Sequence, residues 1–183
     1  MGFERLETAL DGLILIEVET FPDERGFLVE TFRQDRLREL GIDCEFVQDN
    51  HSRSLKGTLR GIHFQTSPGQ AKLVRCGRGR ILDVAVDLRR SSPNFGRWEA
   101  HELSDENQRQ LFVPVGFGHG FLVLTGEADV IYRLSSYYDP ETEAGIAWND
   151  PDVGIEWPAT GYLISDRDQQ APRLAEVRDS LPW

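Results

Sequence analysis

Residues 58–88 read TLRGIHFQ-TSPGQA-KLVRC-GRG-RILDVAVDL, three short apolar runs punctuated by a Ser-Pro-Gly turn and a pair of glycines. Runs of five to nine residues rich in Leu, Ile, Val and Phe between such breakers are strand signals. Side chains alternate across a strand, so Leu59, Gly61, His63 and Gln65 share one face, and Lys72, Val74 and Cys76 share another. Each face mixes apolar residues with one or two polar ones, the pattern expected of a barrel interior that holds a ligand. The same kind of run recurs at 12–20, 26–32, 45–51, 98–103, 110–114, 120–124 and 129–135, the last with Val130, Tyr132 and Leu134 on one face. Two short helices are predicted, at 35–40 before the stop residue Gly41 and at 104–108 behind the capping sequence Ser-Asp-Glu. Many short strands with little helix predict an all-β sandwich or barrel with short peripheral helices. The chain, with no repeat or linker, reads as one domain over 1–183.

Composition narrows the class of partner. The net charge of −11 argues against nucleic acid, which needs a broad basic surface. A small anion needs only a local cluster, and Arg60, Lys72, Arg75, Arg78 and Arg80 fall within 21 residues. No stretch of about 18 apolar residues predicts a membrane span. The start, MGFERLETALDGL, lacks the basic and apolar segments of a signal peptide, so a cytoplasmic location is expected. Cys44 and Cys76 have no metal-type spacing and read as free thiols in a reducing compartment.

Four histidines, His51, His63, His101 and His119, are candidates for chemistry. A strand histidine is ordinarily structural, but His63 shares its run with Arg60 and Gln65, and Lys72 follows one turn later. Pro114-Val-Gly-Phe-Gly-His119 resembles the second cupin motif, in which a Pro-Gly turn points the histidine into the barrel. Metal-binding cupins also supply His-x-His and a carboxylate from the first motif. Here that place reads His63-Phe64-Gln65, and Lys72 falls near the carboxylate position. An ammonium beside a divalent cation is electrostatically wrong, so no metal is expected. Tyr132, Tyr137 and Tyr138 fit either padding at a sheet edge or a phenol and a flat aromatic face lining a site.

Together these segments resemble one family, the dTDP-4-dehydrorhamnose 3,5-epimerases. The resemblance rests on 23–30 (DERGFLVE), 48–54 (QDNHSRS), 57–65, 72–75, 83–87, 92–96, 114–121, 137–140 (YYDP) and 146–151 (IAWNDP), in order over about residues 3–176. It implies a cupin-type jelly roll (double-stranded β-helix), a homodimer without cofactor, and a dTDP-4-keto-6-deoxyhexose substrate. It implies His63 as base with Asp168 as its partner, Tyr132 as acid on the other face of the sugar, and Lys72 facing the ketone oxygen. Tyr138 matches the aromatic that stacks on thymine. Arg25, Phe27 and Glu30 match substrate-binding positions, as do Gln48, Asp49 and Asn50, and likewise Arg60, His119 and Glu143. Arg167 stands where the family usually has lysine, and a guanidinium is not an ammonium.

These residue types suit the reaction. A ketone at C4 acidifies the hydrogens at C3 and C5. An imidazole tuned by a carboxylate can remove one near neutral pH. An ammonium can hold the developing oxyanion, and inversion needs a second proton donor on the far face. An epimerase acting at a single centre fits the same residues, as does a non-catalytic sugar-nucleotide binder, against which the joint presence of His63, Lys72, Tyr132 and Asp168 argues. One geometric conflict stands: strict alternation puts Arg60 and His63 on opposite faces, so both reach one site only through a bulge at Gly61 or across a subunit boundary.

Overall fold

The computed structural model describes residues 2–158 and 161–183. Strands β1 (Phe3–Leu6), β2 (Ile14–Val18), β3 (Thr20–Asp23) and β4 (Gly26–Val29) precede helix α1 (Gln34–Glu39). Eight strands follow: β5 (Gln48–Leu55), β6 (Leu59–Gln65), β7 (Lys72–Arg78), β8 (Arg80–Asp87), β9 (Trp98–Ser104), β10 (Gln110–Val113), β11 (Phe117–Val123) and β12 (Glu127–Leu134). The chain finishes with β13 (Glu143–Gly145), α2 (Asp166–Gln169) and α3 (Leu174–Val177).

The eight central strands pair as a nested hairpin, β8 with β9, β7 with β10, β6 with β11 and β5 with β12, all antiparallel. Rolled up, the hairpin gives two facing sheets, ordered β1-β2-β10-β7-β12-β5 and β13-β6-β11-β8-β9. This is the cupin-type jelly roll, and it explains the punctuated apolar runs: each strand is laid on a sheet that is covered on both faces. Leu15, Val74, Ile81, Ala85, Phe117 and Val130 pack between the sheets. Helix α1 and its flanks cover the six-stranded sheet through Leu37 and Ile42 against Ile16, Leu73 and Phe112. The C-terminal segment covers the other sheet through Leu174 and Leu181 against Phe64, Val84 and Val86. Full burial of each such side chain contributes roughly 1.5–3 kcal/mol, which spreads stability over three apolar layers.

The conflict at Gly61 is resolved within one chain. His63 lies opposite His119 but Arg60 lies opposite Phe121, so three steps on β6 match two on β11. The extra residue is a β-bulge, which turns Arg60 onto the side that His63 faces. Only glycine fits there. Gly61 has φ +124°, and a Cβ on it would lie 2.5 Å from the Gly120 Cα, while one on Gly120 would lie 2.8 Å from the Arg60 carbonyl.

Two expectations change. Residues 104–108 form a single turn, not a helix: the Ser104 and Asn107 side chains each accept the other's backbone N–H, and Gln108 takes φ +51°. Ser, Asp and Asn stabilise isolated turns as readily as helix starts. The run 12–20 is also broken. Gly12 sits in a turn, and the chain leaves the barrel after β2 to form the separate two-stranded ribbon β3–β4, which includes the first part of the run 26–32.

Candidate active site

The space between the sheets that the apolar core does not fill is a cavity of about 720 Å³. His63, on β6, enters from the five-stranded sheet, and its Nε2 lies 2.6 Å from Asp168 Oδ1. Asp168 is delivered from 105 residues away by the one-turn helix α2, whose first turn is capped by the Ser165 hydroxyl. Burial alone would raise the Asp168 carboxyl. The bond from His63, the nearby imidazole charge and the bulged Gly61 N–H (3.4 Å) outweigh it and hold the group below its ordinary value. An ionised Asp168 accepts a hydrogen bond from Nε2–H, which in the neutral imidazole leaves the other ring nitrogen with a free lone pair.

Tyr132 and Lys72 enter from the facing sheet, on the adjacent strands β12 and β7. Among the described residues the Lys72 ammonium has no carboxylate in contact and donates only to the His63 carbonyl, at 3.4 Å. Burial pushes its pKa down to about 8, against the more distant pull of Glu143 and Asp83. A second imidazole–carboxylate pair lies beside the first. His119 is the cross-strand neighbour of His63, and its Nε2 lies 3.0 Å from both oxygens of the fully buried Asp83. Asp83 is a site residue that the motif reading missed. The signal was present, since alternation along β8 puts Ile81, Asp83 and Ala85 on one face, and an acidic residue between two core positions needs a partner.

At the mouth, Glu143 Oε2 accepts from Arg167 Nη1 (2.6 Å) and from the Tyr138 hydroxyl (2.8 Å). Burial would raise the Glu143 carboxyl, but these two donors hold it below its ordinary value. Arg167 therefore reaches the cavity despite its departure from lysine, and its fork joins α2 to β13. Tyr138 leaves a ring face exposed, and its backbone N–H donates to Gln48. Along β5 the alternate residues Gln48, Asn50 and Ser52 line the wall, and Ser54 holds Arg60 through a bond to Nε (3.1 Å).

Four expected binding residues lie outside this chain's cavity. Asp49 points to the other side of β5, toward Arg133. Arg25, Phe27 and Glu30 lie on or just after the ribbon, where Arg25 is paired with Asp23. His51 and His101 also lie elsewhere, paired with Asp129 and Glu99. Cys44 and Cys76 are free thiols. Among the described residues, no group of three or more His, Cys, Asp or Glu side chains could hold a metal ion, and no helix is long and apolar enough to cross a membrane.

Known proteins match most of the chain in sequence and in fold. The family model described as dTDP-4-dehydrorhamnose 3,5-epimerase matches residues 7–176. The protein of that name from Methanothermobacter thermautotrophicus is 49% identical over 177 residues, covering 95% of this chain and 96% of its own. The dTDP-4-dehydrorhamnose 3-epimerase of Streptomyces niveus is 43% identical over 173 residues, covering 93% and 84%. The crystal structure of dTDP-6-deoxy-D-glucose-3,5-epimerase from Legionella pneumophila, in complex with dTDP-4-keto-L-rhamnose, superposes with a TM-score of 0.96 at 44% identity, covering 98% and 97%. The jelly roll, the facing His63 and Tyr132 and the match from residue 7 to residue 176 all lead to one statement: this chain belongs to the dTDP-4-dehydrorhamnose 3,5-epimerase family.

Proposed function

We propose that the chain is an isomerase of deoxysugar and rhamnose biosynthesis that converts dTDP-4-dehydro-6-deoxy-D-glucose to dTDP-4-dehydro-L-rhamnose by inverting C3 and C5. The observation that carries this is the placement of His63–Asp168 on one sheet and Tyr132 with Lys72 on the facing sheet, across one cavity. His63 removes the proton next to the ketone, Lys72 neutralises the enolate oxygen, and Tyr132 returns a proton from the opposite wall. Arg60 serves the diphosphate and Tyr138 the thymine ring. The chemistry needs no cofactor or metal. Incubation with the 4-keto sugar nucleotide in deuterated water, with deuterium located by NMR, is the test. Label at both C3 and C5 is expected; absence of label at either centre would refute the reading. The Streptomyces niveus relative supports one alternative, a 3-epimerase, for which deuterium would enter C3 alone.

Tyr132→Phe is expected to separate the two halves of the reaction. His63 still forms the enolate, so solvent exchange continues, while inversion falls by about tenfold or more for want of the far-side donor. Equal inversion rates in variant and parent would remove Tyr132 from that role.

The working unit is a homodimer in which the ribbon β3–β4 of one subunit completes the cavity of the other. The ribbon leaves Phe21, Phe27 and Leu28 39%, 56% and 63% exposed, an apolar surface that a second copy would cover. It also carries Arg25, distant from its own cavity but matched to a binding position. Mixing Arg25→Ala with His63→Ala subunits is expected to restore activity that neither has alone, since a mixed dimer holds one intact site. No recovery despite proven subunit exchange would mean that each site is built from one chain.

A further inference from the structure

The inward row of β5, Gln48, Asn50, Ser52 and Ser54, consists entirely of neutral hydrogen-bonding residues. Three of them are engaged within the chain. Gln48 donates to Asn50 Oδ1 (3.0 Å) and accepts from the Tyr138 N–H, and Ser54 accepts from Arg60 Nε. Ser52, between Asn50 and Ser54 on the cavity wall, is different: its Oγ is shielded from water and has no partner among the described residues. An unpaired buried hydroxyl is unfavourable, because it has given up its bonds to water without replacing them. That loss is already incurred in the empty protein. A ligand oxygen that meets this hydroxyl therefore gains a hydrogen bond with little further desolvation of the serine. A serine hydroxyl has three staggered positions about the Cα–Cβ bond, so a ligand oxygen can draw it out of its shielded one.

We infer that the Ser52 hydroxyl is a substrate-binding donor, directed at an oxygen of the diphosphate–hexose portion of the sugar nucleotide. The assignment rests on the epimerase reading of the cavity and extends it to a residue with no role in proton transfer. Its neighbours fix the portion of the ligand concerned. Asn50 lies opposite Tyr132, where the hexose reacts, and Ser54 holds Arg60, the cation for the diphosphate. Tyr138 and Gln48, at the nucleoside end, lie two rows away.

The test exploits an opposition of sign that a structural serine would not show. Ser52→Ala removes a buried unpaired group, so the melting temperature of the unliganded protein is expected to stay level or rise. The same variant is expected to raise KM for the 4-keto sugar nucleotide about tenfold, with kcat within about twofold of the parent. Ser52→Thr, which keeps the hydroxyl on a strand-favouring residue, is expected to restore most of the loss. Calorimetric titration with dTDP and with a dTDP-hexose identifies the acceptor: weakening of both places it on the diphosphate, weakening of the hexose conjugate alone places it on the sugar. Unchanged binding of both ligands by Ser52→Ala overturns the inference. So does a lowered melting temperature with a KM that Ser52→Thr fails to restore, because that is the mark of a packing role. An inactive parent would refute the epimerase reading instead, and the two titrations would still judge Ser52.

Discussion

Replacing His63 with alanine is expected to lower epimerisation by about three orders of magnitude, in the range found when a general base is removed. Both inversions begin with proton abstraction by the same base, so deuterium exchange at C3 and C5 falls together with product formation. The fold is expected to survive. Asp168 loses its 2.6 Å partner but keeps the Gly61 N–H, and water can enter from the cavity to solvate the carboxylate. The half-buried imidazole packs against the cavity, not within any of the three apolar layers. Exchange measured by NMR, alongside a thermal melt, checks both halves. A folded variant that still exchanges near the parental rate would exclude His63 as the base.

Lys72→Met is expected to lower the rate by roughly 10²–10³, the usual loss when a preorganised oxyanion partner is removed. Methionine keeps an unbranched stem one atom shorter than lysine, so the deficit reports chiefly the lost ammonium. The pH profile gives a second, independent reading. Stabilising an enolate requires the ammonium, and burial has brought Lys72 down to about 8. Activity therefore falls as pH rises through about 8 in kcat/KM, which reports the free enzyme. A bound diphosphate favours the charged amine and moves the corresponding limb in kcat upward. Lys72→Arg keeps a positive charge that does not titrate in this range, so its alkaline limb is expected to disappear even where the bulkier fork slows the reaction. Of the 20 lysine and arginine residues only Lys56 and Lys72 are lysines, and of these two Lys72 lines the cavity. Parental rates in Lys72→Met, or an unchanged alkaline limb in Lys72→Arg, would exclude the role.

The amino-acid sequence by itself determined the sheet-forming runs and the inward faces of β7 and β12, and family motifs singled out His63, Lys72 and Tyr132, which the fold brings to one cavity. These are properties of period two and of short contiguous patterns, which a strand carries wherever it is placed. Residues 104–108 show the limit of local chemistry, because Ser-Asp-Glu-Asn satisfies a backbone turn and a helix start equally well. Everything that depends on two segments meeting was decided by the tertiary structure. Alternation alone separated Arg60 from His63, and the steric pairing of Gly61 with Gly120 across β6 and β11 brought them together. Asp83 became a site residue only when β11 placed His119 over it, and Ser52 only when its hydroxyl was left without a partner. Asp49, one residue from two cavity-lining side chains, was turned away by the pleat, and Arg25 left its own cavity because β3–β4 departs from the barrel. A linear pattern specifies which face a side chain takes relative to its own strand. The register between strands, and the bulges that shift it, are set by contacts among residues tens of positions apart, and those contacts exist only in the folded chain.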